Sequence, residues 1–248
     1  MDLVSIVIPY YKKELFIKDT IKSILNQSYS KFEIIIINDE ISKKSKKLLS
    51  KICKLDKRIF VLNNNKNLGA GFSRNKGIIN SRGKYIAFCD SDDLWHRNKL
   101  KFQISTMKKS NLQITSTNYK IIDEKNNILG FRKTGKYLDY KRLLNSCDIG
   151  LSTVVIKKTL FKNKFYKFAK LKTKEDYVLW LKITRDKIVI QNFNKNYTSW
   201  RQTKNSLSSS VIQKLFDGFR VYNFYMKYNI LYSILRLMIL SFSYLKKN

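Results

Sequence analysis

Two short runs of mostly β-branched apolar residues, 4–8 and 32–37, flank a stretch with helical periodicity near the start of the chain. Near-continuous apolar runs of this length are typical of strands covered on both faces in a parallel sheet. Between them, apolar residues recur at mostly three- and four-residue steps over 15–25, which predicts an amphipathic helix. This strand–helix–strand order is a βαβ unit, which requires a parallel sheet.

The same alternation continues to residue 108. It predicts helix 45–53, strand 59–62, helix 73–80, strand 85–89 and helix 99–108. We therefore predict an α/β fold with a doubly wound, mostly parallel sheet that binds ligands at the carboxyl ends of its strands. Beyond residue 108 the pattern is mixed. It predicts a hairpin of strands 113–122 and 128–132, a strand at 152–157, a helix at 175–184, a short strand at 188–190, a polar loop at 203–210 and helices from 211.

The chain is strongly basic. It has 248 residues with 50 Lys and Arg against 18 Asp and Glu, which gives a formal net charge of +32. Such a charge favours an anionic partner such as lipid headgroups or a phosphorylated substrate. Nucleic acid is not expected, because the sequence contains no recognised nucleic-acid-binding module. Cys53, Cys89 and Cys147 are widely spaced and form no zinc ligand pattern, which fits a reduced cytosolic compartment.

The sequence predicts no membrane-crossing segment. Residues 1–9 have neither a basic n-region nor a small-residue cleavage site, so they do not form a signal peptide. Lys227 and Arg236 interrupt the apolar stretch 221–245, so it falls short of the ~18 uncharged residues that a spanning helix needs. We expect a cytoplasmic protein.

Half of the acidic residues fall in four adjacent clusters, at 39–40, 90–93, 123–124 and 175–176. The first two clusters follow predicted strands, which places them at the ligand-binding edge of the sheet. An Asp-x-Asp pair at a strand end suits a hard divalent cation that also binds phosphate oxygens. The alternative for 90–93 is an N-cap for the next helix, and for 175–176 a helix N-terminus favoured by its dipole. The pair at 123–124 precedes a turn and is expected to be solvated.

The sequence lacks a Walker A motif, a GxGxxG after the first strand and a GxSxG elbow. The segment 67–75 instead places Gly69, Gly71 and Arg74 at a helix start. Backbone donors and a guanidinium at such a position can meet a diphosphate.

Several motifs in order along the chain resemble family 2 glycosyltransferases, which have a GT-A fold. They lie at 5–11, 23–29, 37–39, 67–77, 83–88, 90–95 and 175–177, with Trp180, and the resemblance covers residues 3–208. It implies a Rossmann-like, mostly parallel central sheet, a smaller mixed acceptor-side region and C-terminal helices. We expect a catalytic domain over 1–210, with a nucleotide-sugar half at 1–108 and an acceptor half at 109–210, and a basic amphipathic tail at 211–248.

The resemblance implies metal-dependent, inverting transfer of a hexosyl or N-acetylhexosaminyl group in polysaccharide assembly. The donor would be a nucleotide sugar, expected to be UDP-linked, and the acceptor a hydroxyl of a lipid-linked or surface glycan. By motif, Asp176 would be the general base and Glu175 would orient the donor or acceptor. Asp92 and Asp90 would hold Mn²⁺ or Mg²⁺, with Asp93 a lesser candidate. The nucleotide side would comprise Pro9, Tyr11, Glu14, Asp39, Asn67, Arg74, Asp90, Arg201 and Lys204.

Two positions depart from the family pattern. Glu40 and Ile41 follow Asp39, where members commonly have Gly-Ser, so this loop is expected to differ in shape. Thr203 stands where many members have a His, which leaves Arg201 and Lys204 as substitutes.

Two questions stay open from the sequence. The basic, aromatic tail favours either an interfacial helix on the anionic cytoplasmic leaflet or a helical pair packed on the domain. The alternative function is a non-catalytic, degenerate protein of this fold that docks on a membrane or another polyanion. The joint presence of Asp39, Asp92 and Asp176 argues against degeneracy. A nucleotidyltransferase is a third reading, but residues 10–14 do not form the Gly-rich loop that such enzymes have after the first strand.

Overall fold

The structure is a computed structural model that describes residues 1–203 and 210–245. Its first half alternates strands and helices as predicted. The elements are β1 (Val4–Tyr10), α1 (Ile17–Leu25), β2 (Phe32–Asn38), α2 (Lys43–Cys53), β3 (Ile59–Asn63), α3 (Ala70–Asn80), β4 (Tyr85–Phe88), β5 (Leu94–Trp95) and α4 (Lys99–Lys109).

The second half mixes short strands, helices and turns. Its elements are β6 (Ile114–Ile122), β7 (Ile128–Arg132), β8 (Tyr137–Leu138), α5 (Tyr140–Asn145), β9 (Val155–Lys157), α6 (Glu175–Arg185), β10 (Ile190–Arg201), α7 (Val211–Arg220) and α8 (Ile230–Leu245). Single 3₁₀ turns at Leu151–Thr153 and Lys158–Lys162 flank β9. A π-helical turn, Val221–Tyr225, follows α7.

The strands of the described residues form one sheet in the order β3-β2-β1-β4-β9-β6-β10-β5, with β7 beside β6 and β8 beside β10. Strands β1 to β4 pair in parallel, and so do β6 and β10. Strand β9 is antiparallel to both of its neighbours, β4 and β6. The predicted 113–132 hairpin is confirmed by the antiparallel pairing of β6 with β7. The α/β prediction with a mostly parallel sheet is therefore confirmed.

The strand register brings the carboxyl ends of the parallel strands level. Tyr10 of β1 pairs with Asn38 of β2, which pairs with Asn63 of β3. Strand β4 lies on the other side of β1. The residues that directly follow these strands, among them Asp39 and Asp90, are therefore at one edge of the sheet, where open α/β sheets bind ligands.

Apolar side chains cover both faces of the sheet. On one face, Val7 and Phe88 pack in a cluster with Trp180 of α6. On the other, Ile6 and Ile8 pack with apolar residues of α1, α2 and α4. Alternate residues of one strand thus enter opposite cores, which explains why β1 reads as a continuous apolar run.

The prediction of a short strand at 188–190 is wrong. Strand β10 begins at Ile190 and continues for 12 residues. Its polar sequence was typical of a loop, but the structure pairs it with β6, where polar side chains bond across the strands. Asn192 Nδ2 donates to Asn118 Oδ1 at 3.0 Å, and Asn192 Oδ1 accepts from Ser116 Oγ at 3.0 Å. Hydrogen bonds between buried amides replace the apolar alternation that a sequence reading looks for.

Other differences concern the ends of elements. Helix α1 begins at Ile17, so Leu15 lies outside it and is exposed. The predicted loop at 203–210 lies outside the described residues except for Thr203 and Ser210. Among the helices of the described residues, none combines the length and apolar character that crossing a membrane requires.

Candidate functional site

An open cleft of about 770 Å³ lies at the carboxyl edge of the sheet, between the strand ends and the start of α6. Most of the predicted site residues line it: Pro9, Tyr11, Asp39, Arg74, Asp90, Asp92, Glu175, Asp176 and Arg201. Glu14 and Asn67 are not among its lining residues. Lys204 lies outside the described residues. The fold thus gathers residues from both halves of the sequence into one cleft.

Arg74 connects two groups of carboxylates in the cleft. Its Nη2 donates to Asp90 Oδ1 at 2.8 Å, and its Nη1 donates to Glu175 Oε1. The guanidinium is buried, and its two carboxylate partners hold it as a fixed positive charge although burial opposes that charge. Arg74 reaches this position because α3 packs closely at Gly71, where an added Cβ would lie 2.6 Å from the carbonyl oxygen of Ala169. A larger residue at Gly71 would push the helix, and Arg74 with it, away from Glu175.

Asp92 is paired with a lysine that sequence reasoning missed. Lys13 Nζ lies 2.7 Å from Asp92 Oδ2 and also donates to Thr203 Oγ1 at 3.0 Å. Burial raises the pKa of Asp92, and the Lys13 ammonium opposes that rise. Thr203, one of the residues that depart from the family pattern, therefore helps to hold Lys13 against residues 90–93, which we call the acidic turn. The signal in the sequence was weak, because Lys13 is one of 50 basic residues.

Asp93, the lesser candidate for a metal ligand, is bonded to the backbone at the end of β10. It is buried, and its Oδ1 accepts from the backbone N–H of Arg201 at 2.9 Å. Arg201 Nε donates in turn to the carbonyl oxygen of Asp92 at 2.8 Å. Arg201 Nη1 donates to the carbonyl oxygens of Asp123 at 3.0 Å and of Glu124 at 3.2 Å. These bonds tie the end of β10 to the acidic turn and to the turn between β6 and β7.

Arg201 has one guanidinium nitrogen without a partner. The residue lines the cleft, and its Nη2 is buried from solvent and has no hydrogen-bond partner within residues 1–203 and 210–245. An unsatisfied guanidinium N–H is costly, so an anionic ligand that accepts from it would bind favourably. The same guanidinium lies 4.7 Å from the ring centre of Phe16, which fixes its plane.

Asp39 holds the loop before α3. Its carboxylate accepts from the backbone N–H of Leu68 at 2.9 Å and of Gly69 at 2.7 Å. Asn64 Nδ2, which the sequence reading missed, donates to the same carboxylate at 2.8 Å. Gly69 has a positive φ of 86°, which favours glycine there. Asn67 is exposed and accepts from the backbone N–H of Gly69 at 3.2 Å, so it shapes the loop beside the cleft.

Glu40, where the family commonly has Gly, is bonded to its own loop and to the loop after β1. Its Oε2 accepts from the backbone N–H of Lys12 at 3.1 Å, and its Oε1 accepts from Ser42 Oγ at 2.9 Å. Ser42 Oγ also accepts from the backbone N–H of Ser45 and caps α2. Glu40 thus links the loop after β1 to the start of α2.

Glu175 and Asp176 form the first turn of α6 and line the same cleft as Asp90 and Asp92. Burial raises the pKa of Glu175 to about 7, although the Arg74 guanidinium opposes that rise. Burial also raises the pKa of Asp176, again against the effect of Arg74. Asp176 Oδ1 accepts from the backbone N–H of Tyr177 at 2.8 Å. Two carboxylates with raised pKa values in one cleft suit proton transfer near neutral pH.

Known proteins resemble this chain in sequence and in fold. The family model described as "Glycosyl transferase family 2" matches residues 5–168. The chain is 36% identical over 214 residues to the Escherichia coli protein named "UDP-Glc:alpha-D-GlcNAc-diphosphoundecaprenol beta-1,3-glucosyltransferase WfgD". That alignment covers 86% of this chain and 82% of WfgD.

Two solved structures share the fold. TarS 1-349 of S. aureus, in complex with UDP-GlcNAc, superposes with a TM-score of 0.75 at 18% identity over 96% of this chain and 70% of that chain. The mannosyltransferase PcManGT from Pyrobaculum calidifontis, in complex with GDP-Man and Mn²⁺, gives a TM-score of 0.70 at 12% identity. This second match covers 94% of this chain and 69% of that chain. At such low identity these likenesses concern the fold, and they confirm the predicted fold class.

Proposed function

The chain belongs to glycosyltransferase family 2 and has a GT-A fold, and from this premise we propose that it transfers a sugar from a UDP-sugar to a hydroxyl of a lipid-linked glycan, with inversion at the anomeric carbon. The relative WfgD supports both substrates, because its name gives UDP-Glc as donor and a diphosphoundecaprenol-linked acceptor. TarS, bound to UDP-GlcNAc, supports a UDP-linked donor. Transfer of a hexosyl or N-acetylhexosaminyl group fits these relatives.

The observation that carries this proposal is the pair of contacts made by Arg74. It joins Asp90, on the turn after β4, to Glu175, at the start of α6. An inverting transfer needs a leaving-group side and a base side that face each other across the sugar. In this chain the acidic turn and the start of α6 line one cleft, and the Arg74 guanidinium contacts a carboxylate of each.

The donor's nucleoside is proposed to lie beside Pro9, Tyr11 and the loop that Asp39 holds. Its diphosphate would lie near the acidic turn, where Arg201 Nη2 is buried without a partner in the described part of the chain. A phosphate oxygen that accepts from this N–H would satisfy it. The roles of Asn67, Glu14 and Lys204 on the nucleotide side stay predictions.

The carboxylates of the acidic turn fit a divalent cation. Asp90 and Asp92 supply hard oxygen ligands, and each already faces a positively charged group, Arg74 or Lys13. The described residues contain no cluster of three or more protein ligands. Mn²⁺ or Mg²⁺ would therefore take its remaining oxygens from the diphosphate and water, as Mg²⁺ commonly does. A cation bound there would neutralise the charge that develops on the departing diphosphate.

Asp176 is the proposed general base. When the acceptor oxygen attacks the anomeric carbon, the bond from that carbon to the diphosphate oxygen breaks on the opposite face. The hydroxyl proton passes to Asp176, whose pKa is raised by burial and thus closer to the pH at which a base works efficiently. One carboxylate oxygen of Glu175 is paired with Arg74, so we assign Glu175 an orienting role.

Calorimetric titration of UDP with and without Mn²⁺ tests the donor site. The proteins are the wild type, Asp92→Asn, Asp176→Asn and a control, Asp19→Asn, which removes an exposed carboxylate of α1. We expect metal-dependent UDP binding in the wild type, its loss in Asp92→Asn, and its retention in Asp176→Asn and the control. If the wild type binds no nucleotide with metal present, the non-catalytic docking protein becomes the better reading.

A transfer assay with a synthetic lipid-diphosphate-linked N-acetylglucosamine tests the chemistry. We expect Asp176→Asn to lower kcat by about 10²–10⁴, the range for loss of a general base, with little change in UDP affinity. Activity close to that of the wild type in Asp176→Asn would contradict the assignment. Nuclear magnetic resonance of the product would report the anomeric configuration, and a product with the donor's configuration would contradict inversion.

A further inference from the structure

The two C-terminal helices form an antiparallel pair that is anchored to the rest of the chain. An added Cβ at Gly218 of α7 would lie 2.7 Å from Leu237 Cδ1 of α8, so the helices touch there. Nearer the other end of the pair, Lys214 Nζ lies 5.5 Å from the ring centre of Tyr244. The tail therefore forms a packed helical pair, which was one of the two sequence alternatives. The other alternative, contact with a membrane interface, concerns the outer faces of α7 and α8.

The anchoring contacts all lie on one side of the pair. Buried Asp217 accepts from the backbone N–H of Thr173 at 2.9 Å and from its Oγ1 at 3.0 Å. Tyr222 donates to the carbonyl oxygen of Leu144 at 2.9 Å. Arg236 Nη1 donates to Asn145 Oδ1 at 2.8 Å. Ser233 and Leu240 of α8 are buried on this side as well.

The opposite side of each helix is apolar and exposed. On α8 it consists of Leu231, Ile234, Leu235, Met238 and Leu245, and on α7 of Ile212, Leu215 and Phe216. These residues follow three- and four-residue steps, so each set forms one face of its helix. Leu231 and Ile212 are each 82% exposed. We call these eight residues the outer apolar face, and contiguous exposed faces of this kind mark interaction sites.

The charge of the tail selects the occupant of this face. Residues 211–248 contain six Lys or Arg (214, 220, 227, 236, 246 and 247) and one acid, Asp217. Asp217 is buried and bonded to Thr173, and its Oδ1 lies 3.9 Å from Arg220 Nη1, so it offsets at most one of these six positive charges. A second copy of a chain with a net charge of +32 would be repelled. A bilayer with anionic headgroups attracts basic residues and accepts apolar side chains at its surface.

We propose that α7 and α8 dock the protein on the surface of an anionic bilayer through the outer apolar face. Each helix lies in the plane of the interface, with its apolar side chains among the acyl chains and its lysines at the headgroups. The anchoring contacts place α7 beside the candidate cleft, because Thr173, which Asp217 holds, lines the cleft. This proposal stands on the helices and does not depend on the identity of the donor or acceptor.

Vesicle sedimentation tests the proposal with the full chain. The probes are vesicles of phosphatidylethanolamine with phosphatidylglycerol, and neutral vesicles of phosphatidylcholine. The first variant is Leu231→Glu/Met238→Glu, which changes two exposed residues of α8. Its matched control is Ile79→Glu/Leu129→Glu, which makes the same kind of change at exposed apolar positions on α3 and β7. A second variant, Lys214→Gln/Lys227→Gln, removes charge and leaves the apolar face intact.

We expect the wild type to bind anionic vesicles and to bind neutral vesicles far more weakly. The Leu231→Glu/Met238→Glu variant should lose at least about tenfold in vesicle affinity, whereas its control keeps the wild-type value. Each lysine removed should cost about fivefold on anionic vesicles, since a Lys near the surface contributes about 1 kcal/mol. Circular dichroism and urea unfolding show whether each variant is folded.

Three outcomes would overturn the proposal. The first is a wild type that binds no vesicle. The second is equal loss of binding in the α8 variant and its matched control, which would place the contact elsewhere on this basic chain. The third is a wild-type dimer, detected by sedimentation, that the α8 variant abolishes, because a second copy would then cover the face. None of these outcomes changes the result expected from the UDP titration. A failure of the docking proposal can therefore be distinguished from a failure of the proposed function.

Discussion

Glu175→Gln tests whether burial of the Glu175 carboxyl group at the start of α6 lowers the unfolding free energy as the pH rises towards neutral. Burial raises the pKa of Glu175 from 4.5 to about 7 in the folded chain. Between these two values the unfolded chain has lost this proton and the folded chain still binds it. The unfolding free energy therefore falls as the pH rises through this window.

The size of the effect follows from the same two values. One pKa unit corresponds to about 1.4 kcal/mol, so the rise to about 7 costs about 3 kcal/mol of stability at pH 8 relative to pH 4. Gln does not titrate. The difference in unfolding free energy between Glu175→Gln and the wild type should thus shift by about 3 kcal/mol in favour of the variant between pH 4 and pH 8.

Urea unfolding followed by tryptophan fluorescence at several pH values measures this difference. Glu33→Gln is a matched control of opposite sign. Burial would raise the pKa of Glu33, but hydrogen bonds from Ser5 and from Arg82 lower it overall. The contribution of Glu33 is therefore present above pH 4.5 and lost as the pH falls, so its variant should lose stability relative to the wild type as the pH rises. A Glu175→Gln difference that stays constant with pH, or that follows the Glu33→Gln sign, would refute the reasoning.

Three further changes have expected outcomes. Lys13→Ala removes the ammonium that pairs with Asp92, so calorimetry should show that Mn²⁺ binds about tenfold more tightly in the absence of nucleotide. Unchanged or weaker binding would contradict competition between Lys13 and the cation for Asp92. Gly77→Ala should cost about 1–3 kcal/mol in urea unfolding, because its Cβ would lie 2.4 Å from Val7 Cγ1, and a neutral effect would mean that β1 and α3 can separate freely. Asp217→Ala leaves buried donors without an acceptor and should cost about 1–3 kcal/mol, with faster hydrogen exchange in α7 and α8, whereas exchange confined to other elements would contradict an anchoring role.

The alternating half of the fold could be predicted because its signals are local. Strands β1 and β2 are buried on both faces, so nearly every residue is apolar and the pattern is strong. Strand β10 could not be predicted in its full length, because its stability comes from amide pairs with β6 that exist only in the folded sheet. Asn192 and Asn194 would belong equally well to a loop if they had no partner strand.

The site divides in the same way. The positions of Asp39 and Asp90 follow from strand ends, which the sequence marks clearly. The contact between Arg74 and Glu175 joins residues 101 positions apart, and no local pattern contains it. The Lys13 contact with Asp92 could not be predicted for a different reason. Lysines occur along the whole chain, so a lysine after β1 does not by itself indicate a site residue. Motif order grouped carboxylates that the structure places in one cleft, but only the structure gives their basic partners.

Those partners suggest why an acidic site persists in so basic a chain. Asp90 and Asp92 each face a cation, and the Arg74 guanidinium is buried, so the site is close to electrically balanced before any substrate enters. A donor diphosphate alone adds negative charge beside Asp92, which is unfavourable in a partly buried cleft. A diphosphate that arrives with a divalent cation adds less net charge, and the ammonium of Lys13, once released from Asp92, lies within the same cleft to meet a phosphate oxygen. Under the proposed function, this charge balance predicts joint entry of donor and cation over entry of either one alone.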